Sequence, residues 1–180
     1  FKEDDSCLIR RDLNMATEKV REIMRWVYAL SFFMAVVALS RFMDLPANFT
    51  PVIAAAVFLP VINRGLYFSI LPVVVLFVTD LVLGFHETML YTYGAVLLIG
   101  LFAQLVRFSL GVKALSGVLI WHLIVNYGVY LHSVPTRSLI DVYVSAWPFD
   151  FRLLVSTLLF TILFWLTKVL VERRFMTNYA

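Results

Sequence analysis

One cysteine, Cys7, in 180 residues excludes an internal disulfide framework, and the three histidines stand at no spacing that forms a zinc site with it. Charge is equally scarce. Only 15% of residues are charged against 62% hydrophobic, with a mean hydropathy of +0.88, which excludes a soluble domain. Seven glycines and six prolines leave no glycine-rich phosphate loop, so any ATP dependence has to come from a partner. The apolar runs are long rather than alternating, which points to an all-α integral membrane protein and not a barrel. The net charge of +3 follows from topology and does not indicate nucleic-acid binding.

Residues 1–14 are polar, mixed in charge and without the apolar core of a signal peptide, and read as a loose cytoplasmic tail. From Leu13 the apolar positions 13, 16, 20, 23 and 24 form one stripe, while Glu18, Lys19, Arg21, Glu22 and Arg25 lie elsewhere. That pattern predicts an amphipathic helix on the bilayer surface. Trp26 marks the interface, and residues 26–43 make a first crossing with Ser31, Ala35 and Ala38 as a stripe of small residues for a partner helix. Residues 51–62 form a second, short apolar segment; 66–84 a third containing Pro72 and Asp80; 89–108 a fourth. After turns at Asn63-Arg64-Gly65, residues 85–88 and Gly111-Val112-Lys113, residues 114–131 make a fifth, with His122 and Asn126 on one face. Residues 132–150 read as the longest break, holding at most a short helix over 139–146, and 151–171 as the sixth segment. The expected organisation is residues 1–23 as tail and interfacial helix, 24–171 as a six-helix transmembrane domain, and 172–180 as a basic cytoplasmic tail.

Six crossings with both termini inside put twelve of the fifteen basic residues in the cytoplasm, leaving Arg41, Arg137 and Arg152 outside. The same topology brings Asp44, Asn48, Thr50, Asp80, His86, Glu87, Asp141, Trp147 and Asp150 to or near the outer face.

The short second segment is the informative one. Asn48-Phe49-Thr50-Pro51 combines a turn with a helix start, a hydroxyl cap followed by proline at the first helical position. Residues 51–62 would extend roughly 18 Å, against a hydrocarbon core of about 30 Å. If this segment crosses, part of the preceding loop lies below the membrane surface, where non-helical backbone persists only when buried in protein or lining a wet cavity. Asn48 and Thr50 are therefore candidate solute ligands as well as turn and cap residues. Asp80 is an intramembrane carboxylate that either meets a ligand or is held structurally, by Arg41 or by the turn. His86 is either a ligand or a solvated loop residue; Tyr91, Tyr93, Tyr143 and Trp147 either stack on a flat solute or belong to an interfacial belt. Asn126 either bridges helices or floors a pocket, and Arg41 with Asp44 reads as an outer-edge pair.

Arg41, Asn48-Phe49-Thr50-Pro51, Asp80-Leu81-Val82-Leu83-Gly84-Phe85-His86, Tyr91 to Gly94, Asn126-Tyr127-Gly128-Val129 and Tyr143 through Ala146-Trp147-Pro148-Phe149 resemble, in order, an uncharacterised bacterial family of six-helix membrane proteins grouped with transporters. That family is similar to the substrate-binding S components of energy-coupling-factor (ECF) transporters. The resemblance implies a bacterial inner-membrane protein with an outward pocket capped by the loop between the first two helices. It also implies a coupling subunit with ATPases as membrane partner and a small-molecule ligand. Two departures stand out: the small-residue docking signature is reduced to Ser31, Ala35 and Ala38, and His122 occupies a position expected to be apolar or aromatic.

Enzymatic readings fail on composition. His86-Glu87 opens a zincin motif, but Leu90 stands where the second histidine belongs. His122 and Asn126 resemble one piece of an intramembrane protease without the paired glutamates and second histidine that would activate water. The expectation is a solute-binding, non-enzymatic transporter subunit with no cofactor and no metal. The alternative is an accessory subunit of a larger respiratory or photosynthetic membrane complex.

Overall fold

The computed structural model describes residues 5–63 and 65–176. Residues 1–4, Arg64, the end of the basic tail after Met176 and the side chain of Trp26 lie outside the described residues. Helices follow one another as α1 (Asp5–Ser40), α2 (Val52–Ile62), α3 (Leu66–Leu83), α4 (Met89–Leu105), α5 (Leu110–Ser133) and α6 (Leu139–Met176). Three of them are long and apolar enough to cross a membrane: Leu66–Leu83, Leu110–Ser133 and Leu139–Arg173. Leu30–Ser40, Val52–Ile62 and Met89–Leu105 are shorter apolar helices.

The chain divides into two compact units, Phe1–Phe32 and Phe33–Ala180. In the first, the segment expected to be a loose tail is helical from Asp5, and no break separates the amphipathic stretch from the apolar one. The reason is local: residues 5–40 contain neither glycine nor proline, so nothing in the backbone stops propagation. Leu13, Val20, Ile23 and Met24, the apolar stripe, are all exposed within this unit.

The second unit is built around α2. Every residue from Val52 to Pro60 is buried, because α3, α4, α5 and α6 all pack against this one short helix. Its sequence has no polar face, as a helix surrounded by protein requires. Cohesion among apolar helices in lipid comes from close packing rather than from expulsion of water. Phe58 of α2 meets Phe33 edge-on at 5.3 Å between ring centres, and both meet Phe164 of α6, at 5.9 and 4.8 Å. Gly100 lets α4 approach α3 until a β-carbon on it would stand 3.0 Å from Cα of Ser69, and the Ser69 hydroxyl donates to Gln104 Oε1 at 3.2 Å alongside.

Two boundaries differ from expectation. Gly111-Val112-Lys113 is not a turn but the first turn of α5; the connection is residues 106–109, and Ser109 caps the helix by accepting from Val112 N–H at 3.4 Å. A serine cap outweighs a single glycine, whose cost in a helix is only about 1 kcal/mol. Lys113, buried, then donates to the Ala103 carbonyl at the end of α4, 2.7 Å away. The second difference is larger. Residues 139–150 are not part of a long break but belong to α6, which runs unbroken through Pro148 for 38 residues. Proline forfeits one backbone hydrogen bond, a loss that neighbouring helices can accommodate in a membrane bundle.

Candidate functional site

Two polar clusters lie inside the second unit, and they share no residue. The first closes the C-terminal end of α3. Asp80, 2% exposed, receives Arg41 on Oδ1 and the Tyr93 hydroxyl on Oδ2 at 2.6 Å. Its position explains the geometry. Asp80 sits three residues before the end of α3 and Tyr93 four after the start of α4, so the turn between those helices folds them together. Arg41, just past α1, reaches the same level. The expected Arg41 and Asp44 edge pair does not form; Arg41 turns inward because a buried carboxylate demands its charge, while Asp44 is exposed and solvated. Both oxygens of Asp80 are thereby occupied by side chains of the chain itself.

The second cluster lies between α5 and α6. His122 stands eleven residues before the end of α5 and Asp150 eleven after the start of α6, so an antiparallel hairpin places them side by side, about 16 Å from the connecting turn. Nδ1 of His122 is 2.6 Å from Asp150 Oδ2. Asn126 Nδ2 donates to that same oxygen at 3.0 Å and to the His122 carbonyl at 2.9 Å. These two acceptors use both amide hydrogens, so the 3.1 Å approach of Asn126 Nδ2 to His122 Nδ1 is not a hydrogen bond; Nδ1 carries a proton and gives it to Asp150. The ring is held from the side as well. Tyr143 sets its edge against His122 at 5.2 Å while its hydroxyl donates to the Leu123 carbonyl at 2.6 Å, and Trp147 lies at 6.2 Å. Tyr143, Trp147 and Asp150 recur at i, i+4 and i+7 and so share one face of α6. Asp150 is 7% and Asn126 8% exposed. No hydrogen bond from the described residues reaches His122 Nε2 or Asp150 Oδ1.

The loop before α2 is tied to α6. Thr50 N–H donates to Ser156 Oγ at 3.3 Å, and the Ser156 hydroxyl lies 3.2 Å from the Thr50 carbonyl. Ser156 is seventeen residues into α6, about 25 Å along its axis, so the non-helical chain ending at Thr50 meets α6 six residues beyond Asp150. Thr50 Oγ1 accepts from Val52 N–H at 3.4 Å, and Pro51 rather than Thr50 takes the cap position, one residue later than the sequence pattern suggests. Asn48 has φ +65°, a left-handed conformation that asparagine tolerates better than most residues. Phe49 packs on Phe160 of α6 at 6.1 Å.

The remaining candidates lie apart from these clusters. His86 is exposed, and its carbonyl accepts from Met89 N–H at 3.1 Å. Tyr91 is half-buried against Gly128 and meets His132 edge-on at 6.3 Å. Ser31 and Ala35 are exposed and Ala38 is half-buried. Sequence reasoning missed Asp150 and Ser156 as site members, gave Tyr93 a stacking role rather than a hydrogen bond to Asp80, and set His122 aside as an anomaly. The signal was present: reading α6 through Pro148 turns Asp150 from a loop residue into a carboxylate inside an apolar helix.

A family of unknown function, DUF6580, matches residues 21–178, and the chain belongs to that family. No curated protein and no solved structure matches the chain.

Proposed function

We propose that this member of the DUF6580 family binds a small solute from the outer side of the bacterial inner membrane, as the specificity subunit of a transporter. In this reading the chain crosses six times with both termini inside, resembles an ECF S component, and performs no chemistry of its own. The observation that carries it is the loop before α2, non-helical backbone tied to Ser156 six residues along α6 from a polar His122, Asn126 and Asp150 cluster that the aromatic rings of Tyr143 and Trp147 flank. In a lipid environment unpaired backbone is tolerated only against protein or a wet cavity, and an ionisable cluster on a spanning helix is expensive unless it serves a pathway or a ligand. Asp80 acts in this account as an anchor for the outer end of the loop, and the α5–α6 cluster supplies the recognition groups.

The test is purification from the native membrane followed by untargeted mass spectrometry of retained small molecules. A solute retained stoichiometrically, together with co-isolated ATPase subunits, is the expected result. A stable respiratory or photosynthetic assembly with no retained solute would overturn it in favour of an accessory subunit. Because Ala35 is exposed on the small-residue stripe, Ala35→Trp should leave the protein inserted but absent from the assembly.

A further inference from the structure

We propose that Arg152 heads a phospholipid-binding site, its guanidinium holding the phosphate while the exposed face of α6 beyond it holds an acyl chain. The site requires only that α6 crosses a membrane, for which it is long and apolar enough, and it does not depend on solute binding.

A guanidinium keeps its charge, so on a spanning helix it has to be paired or solvated. Two other arginines of this unit are served by the chain itself: Arg41 by Asp80, and Arg137 by the Asp141 carbonyl and the Ser145 hydroxyl. Arg152 is not. It is half-buried, and none of its nitrogens makes a hydrogen bond or ion pair among the described residues. Only Nε is sealed from solvent; the terminal nitrogens, equally unpaired, are accessible. The nearest carboxylate in sequence, Asp150, lies two positions away on another face of the helix and is occupied by His122 and Asn126. The acceptor therefore comes from outside the chain.

The level of Arg152 suits a phosphate. Its side chain runs back along α6, placing the guanidinium over the Phe149 ring at 4.8 Å and away from the apolar stretch that follows. From Phe149 to Lys168, the next charged residue after Arg152, α6 covers about 28 Å, close to the roughly 30 Å of a hydrocarbon core. Trp147 and Trp165, both exposed, stand about 27 Å apart near the two ends, as interfacial tryptophans do. Lys168 is already paired with Glu172 at 2.9 Å. Arg152 is thus the cation at headgroup level with open donors, and a phosphodiester presents two acceptor oxygens to its planar fork.

The face beyond it suits an acyl chain. Val155, Leu159, Ile162 and Leu166 follow Arg152 at i+3, i+7, i+10 and i+14, so they form one stripe, and all four are exposed. A water-soluble anion would use the cation and leave this stripe bare. A phospholipid uses both.

The experiment uses the full chain purified in dodecyl maltoside and depleted of phospholipid, with three probes. Dioleoylphosphatidylglycerol carries phosphate and chains, dioleoylglycerol the chains alone, and glycerol 3-phosphate the phosphate alone. Only the phospholipid should raise Tm, and native mass spectrometry should show it retained. Arg152→Gln should cut that retention about tenfold, as expected for the loss of one charge-assisted pair, whereas Arg152→Lys should keep part of it and Lys168→Gln all of it. Equal stabilisation by dioleoylglycerol would overturn the role of the phosphate. Equal stabilisation by glycerol 3-phosphate would overturn the lipid assignment and make Arg152 a site for a soluble anion. Undiminished retention in Arg152→Gln, an equal loss in Lys168→Gln, or no shift with any probe would each overturn the site. The three-probe comparison uses only the unmodified protein, which keeps the test decisive if a variant does not fold.

Discussion

Asp80→Asn is the sharpest perturbation of the Arg41, Asp80 and Tyr93 cluster. The amide keeps the shape of the carboxylate and still accepts from the Tyr93 hydroxyl, but it loses the charge that holds Arg41. Removing one partner of a buried ion pair costs about 3–5 kcal/mol. Arg41 retains 20% side-chain exposure and can turn partly to solvent, which reduces the expected loss to about 2–3 kcal/mol. For a chain of this size each kcal/mol corresponds to roughly 2–4 °C, so Tm in detergent should fall by roughly 4–12 °C. The fall should be the same with and without retained solute, because both carboxylate oxygens are committed within the chain. A cycle with Arg41→Leu and the double variant separates pairing from packing. The double variant should lose less than the sum of the single ones, since neither leaves an unpaired charge behind in it. Additive losses, or an unchanged Tm together with loss of solute, would refute the anchoring role and return Asp80 to the ligand site.

Three further outcomes are expected. In a Cys7→Ser background, single cysteines at Thr88 and Ser138 should react with an impermeant maleimide added outside and one at Gly111 should not; reversed labelling would reject the six-crossing, both-termini-inside topology. Gly128→Ala should cost about 1–3 kcal/mol, read as a lower Tm, because its β-carbon would stand 2.9 Å from Tyr91 Cβ and closer still to the ring; Tyr91→Ala should recover part of that loss if this contact is its cause. Ser156→Val should release Thr50, seen as faster protease cleavage within residues 41–51 while α6 stays protected, and uniform protection would mean that the loop is held by other contacts.

Much of the helical plan was legible in the residues because it rests on local signals. The lack of charge, the lengths of the apolar runs and the polar interruptions at residues 44–50 and 84–88 are all read without knowing what touches what. The unusual length of the second segment was legible for the same reason. Where local signals conflicted, tertiary structure decided. Pro148 argues for a break in isolation, yet α6 continues through it, because packing along a long helix outweighs one lost hydrogen bond. That choice brings Asp150 to His122, an encounter that depends on the register of the α5–α6 hairpin and that no spacing within either segment encodes. Arg41 likewise has an acidic neighbour in sequence, Asp44, and a different partner in space, Asp80. An exposed carboxylate is satisfied by water, so its attraction for a guanidinium is weak; a buried one has only side chains to satisfy it. The residues alone placed Asp80 inside an apolar segment and left Asp150 in a loop. Burial, which exists only once the helices pack, determined which side chains each carboxylate would claim.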